Sequence, residues 1–69
     1  MMHFVEFNSR LGSKKLLLNI TSIDMVRPGR GEDEDRAEVF LQGEDDPIIV
    51  GHTYEEVKQA ILGGSNGEQ

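Results

Sequence analysis

The 69-residue chain contains no cysteine, no tryptophan and only two prolines. Without cysteine, neither a disulfide framework nor a thiolate zinc site can support the fold, although domains this small often depend on one of them. The two histidines, His3 and His52, are far apart in sequence and do not have the H-x-x-x-H spacing of a zinc site. The sequence therefore predicts no metal site and no cofactor, and it leaves packing or self-association to stabilise the domain.

Long apolar runs are also missing. No segment approaches the roughly 18 apolar residues that mark a membrane-spanning helix. The first residues, Met1-Met2-His3, lack the basic and apolar regions of a secretory signal peptide. The sequence therefore favours a cytoplasmic protein that makes no membrane contact.

Basic residues are scarce, since 7 Lys and Arg stand against 13 Asp and Glu, for a net charge of -6. Proteins that bind nucleic acids neutralise the phosphate backbone with clustered Lys and Arg, so this composition argues against a nucleic-acid partner. One alternative stays open, in which the basic residues converge in the folded molecule and a small transcriptional regulator binds DNA through them. They are Arg10, Lys14, Lys15, Arg27, Arg30 and Arg36.

Alternation of side-chain character predicts short β-strands through the first two thirds of the chain. Phe4 to Phe7 has strand composition, and a polar loop with Gly12 separates it from a second strand, Lys15 to Ile20. Around Asn19 to Ser22 the alternation breaks before Ile23 to Val26 resumes it. Either one long extended segment bends at this point, or a turn links two short strands.

The last third of the chain combines several signals. Val39 and Leu41 alternate with polar neighbours, Gly43 to Pro47 supplies turn residues, and Ile48 to Val50 resumes the sheet. A helix is expected to follow. Thr53 and Glu56 have the spacing of a reciprocal capping box.

The apolar stripe of this helix is formed by Tyr54, Val57 and Ile61, with Ala60 at its edge. Gly63 is expected to end it. The resulting architecture is an α+β domain over residues 1–62, with a small antiparallel sheet of about four strands and one C-terminal helix packed on one face. Residues 63–69 are expected to form a disordered tail.

Pro28 to Gly31, followed by four acidic residues, predicts a solvated and flexible connection. Adjacent carboxylates splay apart, whereas calcium loops alternate their ligands so that they converge. Arg10 is expected to be a solvated loop side chain. His52, just before the helix cap, is interpreted as a linker histidine rather than a general base, because no nucleophile or carboxylate pair is placed to work with it.

Strand alternation also assigns side chains to the two faces of the sheet. The inward set comprises Val5, Phe7, Leu16, Leu18, Val39, Leu41, Ile48 and Val50. The same alternation points Phe4, Leu17, Phe40 and Ile49 the other way, where one helix cannot cover them. We expect these four residues to form an interface, most simply in a homodimer of stacked sheets or with another protein. The alternative is that they lie at different heights and are exposed individually.

A series of short motifs spans most of the chain from Phe4 to Leu62. They are Leu18-Asn19, Ile23, Val39-Phe40-Leu41-Gln42-Gly43, Ile49-Val50 and Thr53-Tyr54-Glu55-Glu56-Val57-Lys58-Gln59-Ala60-Ile61. This series resembles the small FlbD/SwrD-like proteins linked to flagellar and swarming motility. The resemblance implies a short strand-rich body with a closing helix, and it supplies no catalytic residues. The chain departs from that family in its longer acidic loop, Pro28 to Arg36.

No pattern in the chain brings a nucleophile, a base and an acid together, and a domain this small rarely encloses a substrate pocket. The sequence therefore predicts no catalytic residues. It predicts a non-enzymatic accessory or interaction protein that acts through an apolar sheet face, with a motility role implied by the resemblance.

Overall fold

The computed structural model of the protein describes residues 3–66, which form two small antiparallel sheets and one helix. The elements are β1 (Phe4–Asn8), β2 (Lys15–Asn19), β3 (Ile23–Pro28), β4 (Ala37–Leu41), β5 (Ile48–Val50) and α1 (Tyr54–Asn66). One sheet is the hairpin β1-β2, and the other has the order β3-β4-β5. The predicted α+β class is confirmed. The pairs β1-β2, β3-β4 and β4-β5 are antiparallel, as expected, but β2 and β3, although consecutive, do not pair, because a turn sends the chain from one sheet into the other.

The hairpin turns one of its two faces toward the core that it shares with the helix. Val5 lies opposite Leu18 and Phe7 lies opposite Leu16, so the two-residue period of each strand places all four side chains on one face. In the connecting loop, Gly12 has a φ of +81°, a conformation that other residues rarely adopt. The local turn chemistry therefore sets the register of the hairpin.

A 3₁₀ turn over Ile20–Ser22 separates β2 from β3. The Asn19 Oδ1 atom accepts hydrogen bonds from the Thr21 amide at 3.0 Å and from the Thr21 hydroxyl at 2.8 Å. This is the Asx-type local bonding that competes with strand pairing. The break in the sequence pattern is thus a turn between two strands, and the described residues contain five strands rather than about four.

The two sheets meet along a short seam at the end of the hairpin. Ser9 forms an isolated antiparallel bridge with Val50, and the Gly51 amide donates to the carbonyl of Asn8 at 2.9 Å. The strands therefore follow one another in space as β2-β1-β5-β4-β3.

Helix α1 begins with the predicted capping box. The Glu56 amide donates to Thr53 Oγ1 at 3.1 Å, and the Thr53 amide donates to Glu56 Oε1 at 2.9 Å. The helix continues to Asn66, so the prediction that it ends at Gly63 is wrong. Glycine inside a helix costs only about 1 kcal/mol relative to alanine, which weakens a helix without ending it. Of the predicted tail, residues 67–69 lie outside the described residues.

One core serves both sheets. Its fully buried members come from β1, β4, β5 and the helix: Phe7, Ala37, Val39, Val50 and Val57. All eight residues assigned to the inward face are either in this cluster or packed against it. Ala60 and Ile61 pack against it too, which confirms that the helix docks by its apolar stripe.

Candidate interaction surface

The outer face of the hairpin carries two of the four predicted interface residues. Phe4 is 49% exposed and Leu17 is 64% exposed. In the register of the hairpin Leu17 lies opposite Glu6, so Phe4 is its diagonal neighbour across the strands. Diagonal pairs of this kind come within reach of an aromatic side chain. We call Phe4 and Leu17 the hairpin patch.

The other two predicted residues, Phe40 and Ile49, lie on the outer face of the three-stranded sheet and are half-buried. Met25, which the sequence reading did not select, lies opposite Phe40 and is 46% exposed. Simple alternation would place Ile23 and Met25 on the same face. A register shift between them instead turns Ile23 toward the core and Met25 outward. We call Met25, Phe40 and Ile49 the sheet patch.

The outer face of that sheet also contains a buried charge. Glu38 is 8% exposed and receives a hydrogen bond from Arg27 Nε at 2.6 Å. The Arg27 guanidinium lies 5.1 Å from the centre of the Phe40 ring, a cation-π geometry. An ion pair therefore lies within the sheet patch, whereas the sequence reading treated this face as apolar.

The hairpin patch and the sheet patch are displaced from the seam in opposite directions along the strands. Phe4 is five residues before Ser9, which pairs with Val50, and Phe40 is three residues after Ala37, which also pairs with Val50. Because β1 and β4 are both antiparallel to β5, these offsets run in opposite directions along the strands. The structure thus places the four predicted residues in two pairs on two sheets.

Three of the six basic residues offered for DNA binding are paired with carboxylates. Arg10 Nε lies 2.9 Å from Asp33 Oδ1, Arg36 Nη1 lies 3.1 Å from the same oxygen, and Arg27 pairs with Glu38. Neutralised arginines of this kind do not provide a surface for phosphates. No observation in the described part of the chain favours the regulator alternative.

The same ion pairs correct two expectations about loops. Arg10 is half-buried and bound to Asp33, so it is not a solvated loop side chain. The acidic segment forms a 3₁₀ turn over Gly31–Asp33, and Arg36 reaches across to donate from Nε to the carbonyl of Arg10 at 2.8 Å. Glu32, Glu34 and Asp35 remain exposed. The loop is therefore solvated on one side and bonded to the hairpin on the other.

His52 lies at the start of the helix, as expected of a linker residue, and also joins it to the hairpin. Its Nε2 atom accepts a hydrogen bond from the Asn8 amide at 2.9 Å, and its ring packs 5.5 Å from the ring of Phe7. An imidazole nitrogen that accepts carries no proton, so this geometry assigns the proton of the neutral ring to Nδ1. Nδ1 lies 3.7 Å from Glu56 Oε1. The His52 side chain therefore connects the segment before the helix to β1 of the hairpin, next to the seam between the sheets.

The described residues also form surface depressions. An open polar cleft of about 460 Å³ is lined by residues that include Arg10, Leu11, Glu32 and Arg36. A smaller apolar groove of about 320 Å³ is lined by Val26, Tyr54, Lys58, Ile61 and Leu62. Leu11, at the hairpin tip, is 74% exposed, and the sequence reading did not select it because it stands alone among polar loop residues.

Within residues 3–66, no three His, Asp or Glu side chains converge as metal ligands would. No helix in this part of the chain is long and apolar enough to cross a membrane. No protein-family model, curated protein or solved structure matches the chain.

Proposed function

We propose that this protein is a non-enzymatic interaction module that binds a second copy of itself or another protein through the hairpin patch. The observation that carries the proposal is the exposure of Phe4 and Leu17 as neighbours on the hairpin face that lies away from the core. Clustered apolar side chains of this size on a small domain are typical of an interface, whereas single ones are not.

The net charge of the chain favours association through a specific contact over nonspecific aggregation. A net charge of -6 keeps separate molecules apart in solution, so association needs a local apolar contact to overcome the repulsion. The sheet patch is the weaker candidate, because the Arg27–Glu38 pair lies within it and two of its apolar members are half-buried.

The test compares Leu17→Asp with Leu11→Asp by sedimentation and by capture of partners from the native cell. Both leucines are exposed on the hairpin, but only Leu17 belongs to the hairpin patch, so Leu11→Asp controls for added charge. We expect Leu17→Asp to abolish association and Leu11→Asp to leave it intact. Two results together would contradict the proposal. The wild-type chain would stay monomeric at tens of micromolar, and Leu17→Asp and Leu11→Asp would capture the same proteins as the wild-type chain.

The resemblance to FlbD/SwrD-like proteins supports a cellular setting for this interaction, namely an accessory role in flagellar or swarming motility. A deletion strain is expected to lose swarming, and the wild-type gene should restore it. Restoration by the Leu17→Asp gene to the same extent would show that motility does not depend on the hairpin patch.

A further inference from the structure

We propose that the hairpin binds a second copy of this chain. The two β2 strands would pair edge to edge, so that the two hairpins form one continuous four-stranded sheet. This inference rests on the proposed interaction function and specifies its geometry. Within residues 3–66, β1 is the only strand that pairs with β2. The other edge of β2 therefore carries backbone amides and carbonyls that can form hydrogen bonds with another strand.

The hydrogen bonds of the hairpin show which backbone groups face that edge. The Ser9 amide donates to the carbonyl of Lys14, and the Ile20 amide donates to the carbonyl of His3, each at 2.8 Å. Hydrogen-bonded pairs alternate along an antiparallel ladder. Leu16 and Leu18 thus bond to β1. The amides and carbonyls of Lys15 and Leu17 and the amide of Asn19 point to the free edge, whereas the carbonyl of Asn19 accepts the first hydrogen bond of the 3₁₀ turn.

This arrangement is complementary to itself. With a twofold axis through Leu17, the Leu17 amide of each copy meets the Leu17 carbonyl of the other, which is a hydrogen-bonded pair of the antiparallel ladder. Lys15 then lies opposite Asn19 of the second copy. No like charges face each other, and the Asn19 amide of each copy meets the Lys15 carbonyl of the other.

The opposite edge of the molecule is protected, in contrast to β2. The Gly29 amide donates to the carbonyl of Arg36, so alternation turns Pro28 toward the free edge of β3, and proline has no amide to offer there. A register shift at Asp24 distorts the other end of the same strand. Prolines and bulges are two of the devices by which sheet edges avoid pairing, and β2 contains neither; its one charged residue, Lys15, lies at the end of the strand.

Pairing along β2 would also extend both faces of the hairpin. Leu16 of one copy would lie opposite Leu18 of the other, and both are only partly buried within one chain. On the outer face, the two hairpin patches would join around the pair of Leu17 side chains. The dimer would thus present one larger apolar surface in place of two small ones.

Single cysteines test this geometry, because the chain has none of its own. In a hydrogen-bonded antiparallel pair the Cα atoms are about 5.5 Å apart, within the range that a disulfide spans. We expect L17C to form a disulfide-linked dimer under mild oxidation. F4C is the matched control on the same face. It lies one strand further from the axis, so the two copies of residue 4 would be at least about 14 Å apart and should not cross-link.

A second comparison tests the backbone contact itself. Leu17→Pro removes the amide at the axis, while Leu17→Val keeps it together with an apolar side chain. In sedimentation equilibrium, we expect Leu17→Pro to raise the dimer dissociation constant at least about tenfold, because the loss of both central hydrogen bonds outweighs other effects. Leu17→Val should change it little. Circular dichroism is the control, and both variants should give the spectrum of the folded wild-type chain.

The outcomes separate this inference from the function on which it rests. A disulfide at F40C but not at L17C would show a dimer of stacked faces, which overturns edge pairing and leaves an interaction function. A wild-type monomer at tens of micromolar, with no cross-link from L17C, also overturns edge pairing. If Leu17→Asp still abolishes capture of another protein in that case, the proposed function stands without it.

Discussion

Gly29 is buried where the chain leaves β3, and a Cβ atom on it would overlap the carbonyl oxygen of Asp33. The acidic loop folds back over this position, so the backbone approaches more closely than a side chain allows. We expect Gly29→Ala to lower the free energy of unfolding by about 1 to 3 kcal/mol, the usual cost of overpacking.

Urea denaturation checks this prediction, with Gly63→Ala as the control. A Cβ at Gly63 meets no atom within 4 Å and lies in helix α1, so this change should be neutral or stabilising by up to about 1 kcal/mol. Equal effects of the two substitutions would show that the close approach at Gly29 is unimportant.

His52 stabilises the fold through one hydrogen-bond acceptor, its Nε2 atom. His52→Phe keeps an aromatic ring against Phe7 but leaves the Asn8 amide without its partner. We expect a loss of about 1 to 2 kcal/mol in stability, toward the lower part of the range for an unsatisfied donor, because the site is only partly buried.

Hydrogen exchange locates this effect. The amide of Asn8 should exchange faster in His52→Phe, together with that of Gly51, which bonds to the Asn8 carbonyl across the seam. His52→Gln, which retains an acceptor, should restore part of the protection. Unchanged exchange at both amides in the phenylalanine variant would contradict the assigned role.

At the scale of elements, the capping box decides where helix α1 begins. Thr53→Ala removes the acceptor for the Glu56 amide and should cost about 1 kcal/mol. Glu56→Ala removes the reciprocal acceptor. Because the two side chains form one motif, the double variant is expected to lose less than the sum of the single losses, as measured by a double-mutant cycle. Strict additivity would indicate two independent caps.

The acidic loop is held to the hairpin by Asp33, whose Oδ1 atom accepts from both Arg10 and Arg36. Asp33→Asn should lower stability by about 1 kcal/mol at low salt, since partly exposed ion pairs are weak and screened. The difference from wild type should shrink as salt is raised.

Asp35→Asn is the control for this loop, since it removes the same charge from an exposed neighbour. It should change stability little. A salt-independent loss in the Asp33 variant would instead show that hydrogen-bond geometry, and not charge, holds the loop.

At the scale of the whole molecule, one core unites two sheets that pair with each other only at the seam. Val57 is fully buried in that core and brings the helix to residues of both sheets. Val57→Ala should lower the free energy of unfolding by about 1 to 3 kcal/mol through a lost contact and a small cavity. Lys58→Ala, on the exposed side, should have little effect.

The unfolding of the Val57→Ala variant is also expected to be cooperative across the two sheets. Because neither the hairpin nor the three-stranded sheet has a core of its own, we expect both to unfold together in the Val57 variant. Exchange rates of amides in β2 and β4 should rise by the same factor. Loss of protection in one sheet alone would show that the sheets are independent.

The features that follow from the sequence are local in origin. Side-chain alternation identified the eight inward residues, and the Thr53-x-x-Glu56 spacing identified the start of the helix, because both depend on residues a few positions apart. The break at Asn19 was also visible. Its side chain bonds to Thr21 two residues on, but the sequence alone does not distinguish a bend in one strand from a turn between two.

Long-range contacts decided the rest. The register shift that exposes Met25, the division of Phe4 and Leu17 from Phe40 and Ile49, and the pairing of Arg10 with Asp33 all depend on residues distant in sequence. Alternation alone states which way a side chain points from its own strand, but not which strand lies beside it. The sequence by itself thus determined the faces of the elements, and only the tertiary structure decided which faces and edges remain uncovered, because that depends on how the strands are arranged in space.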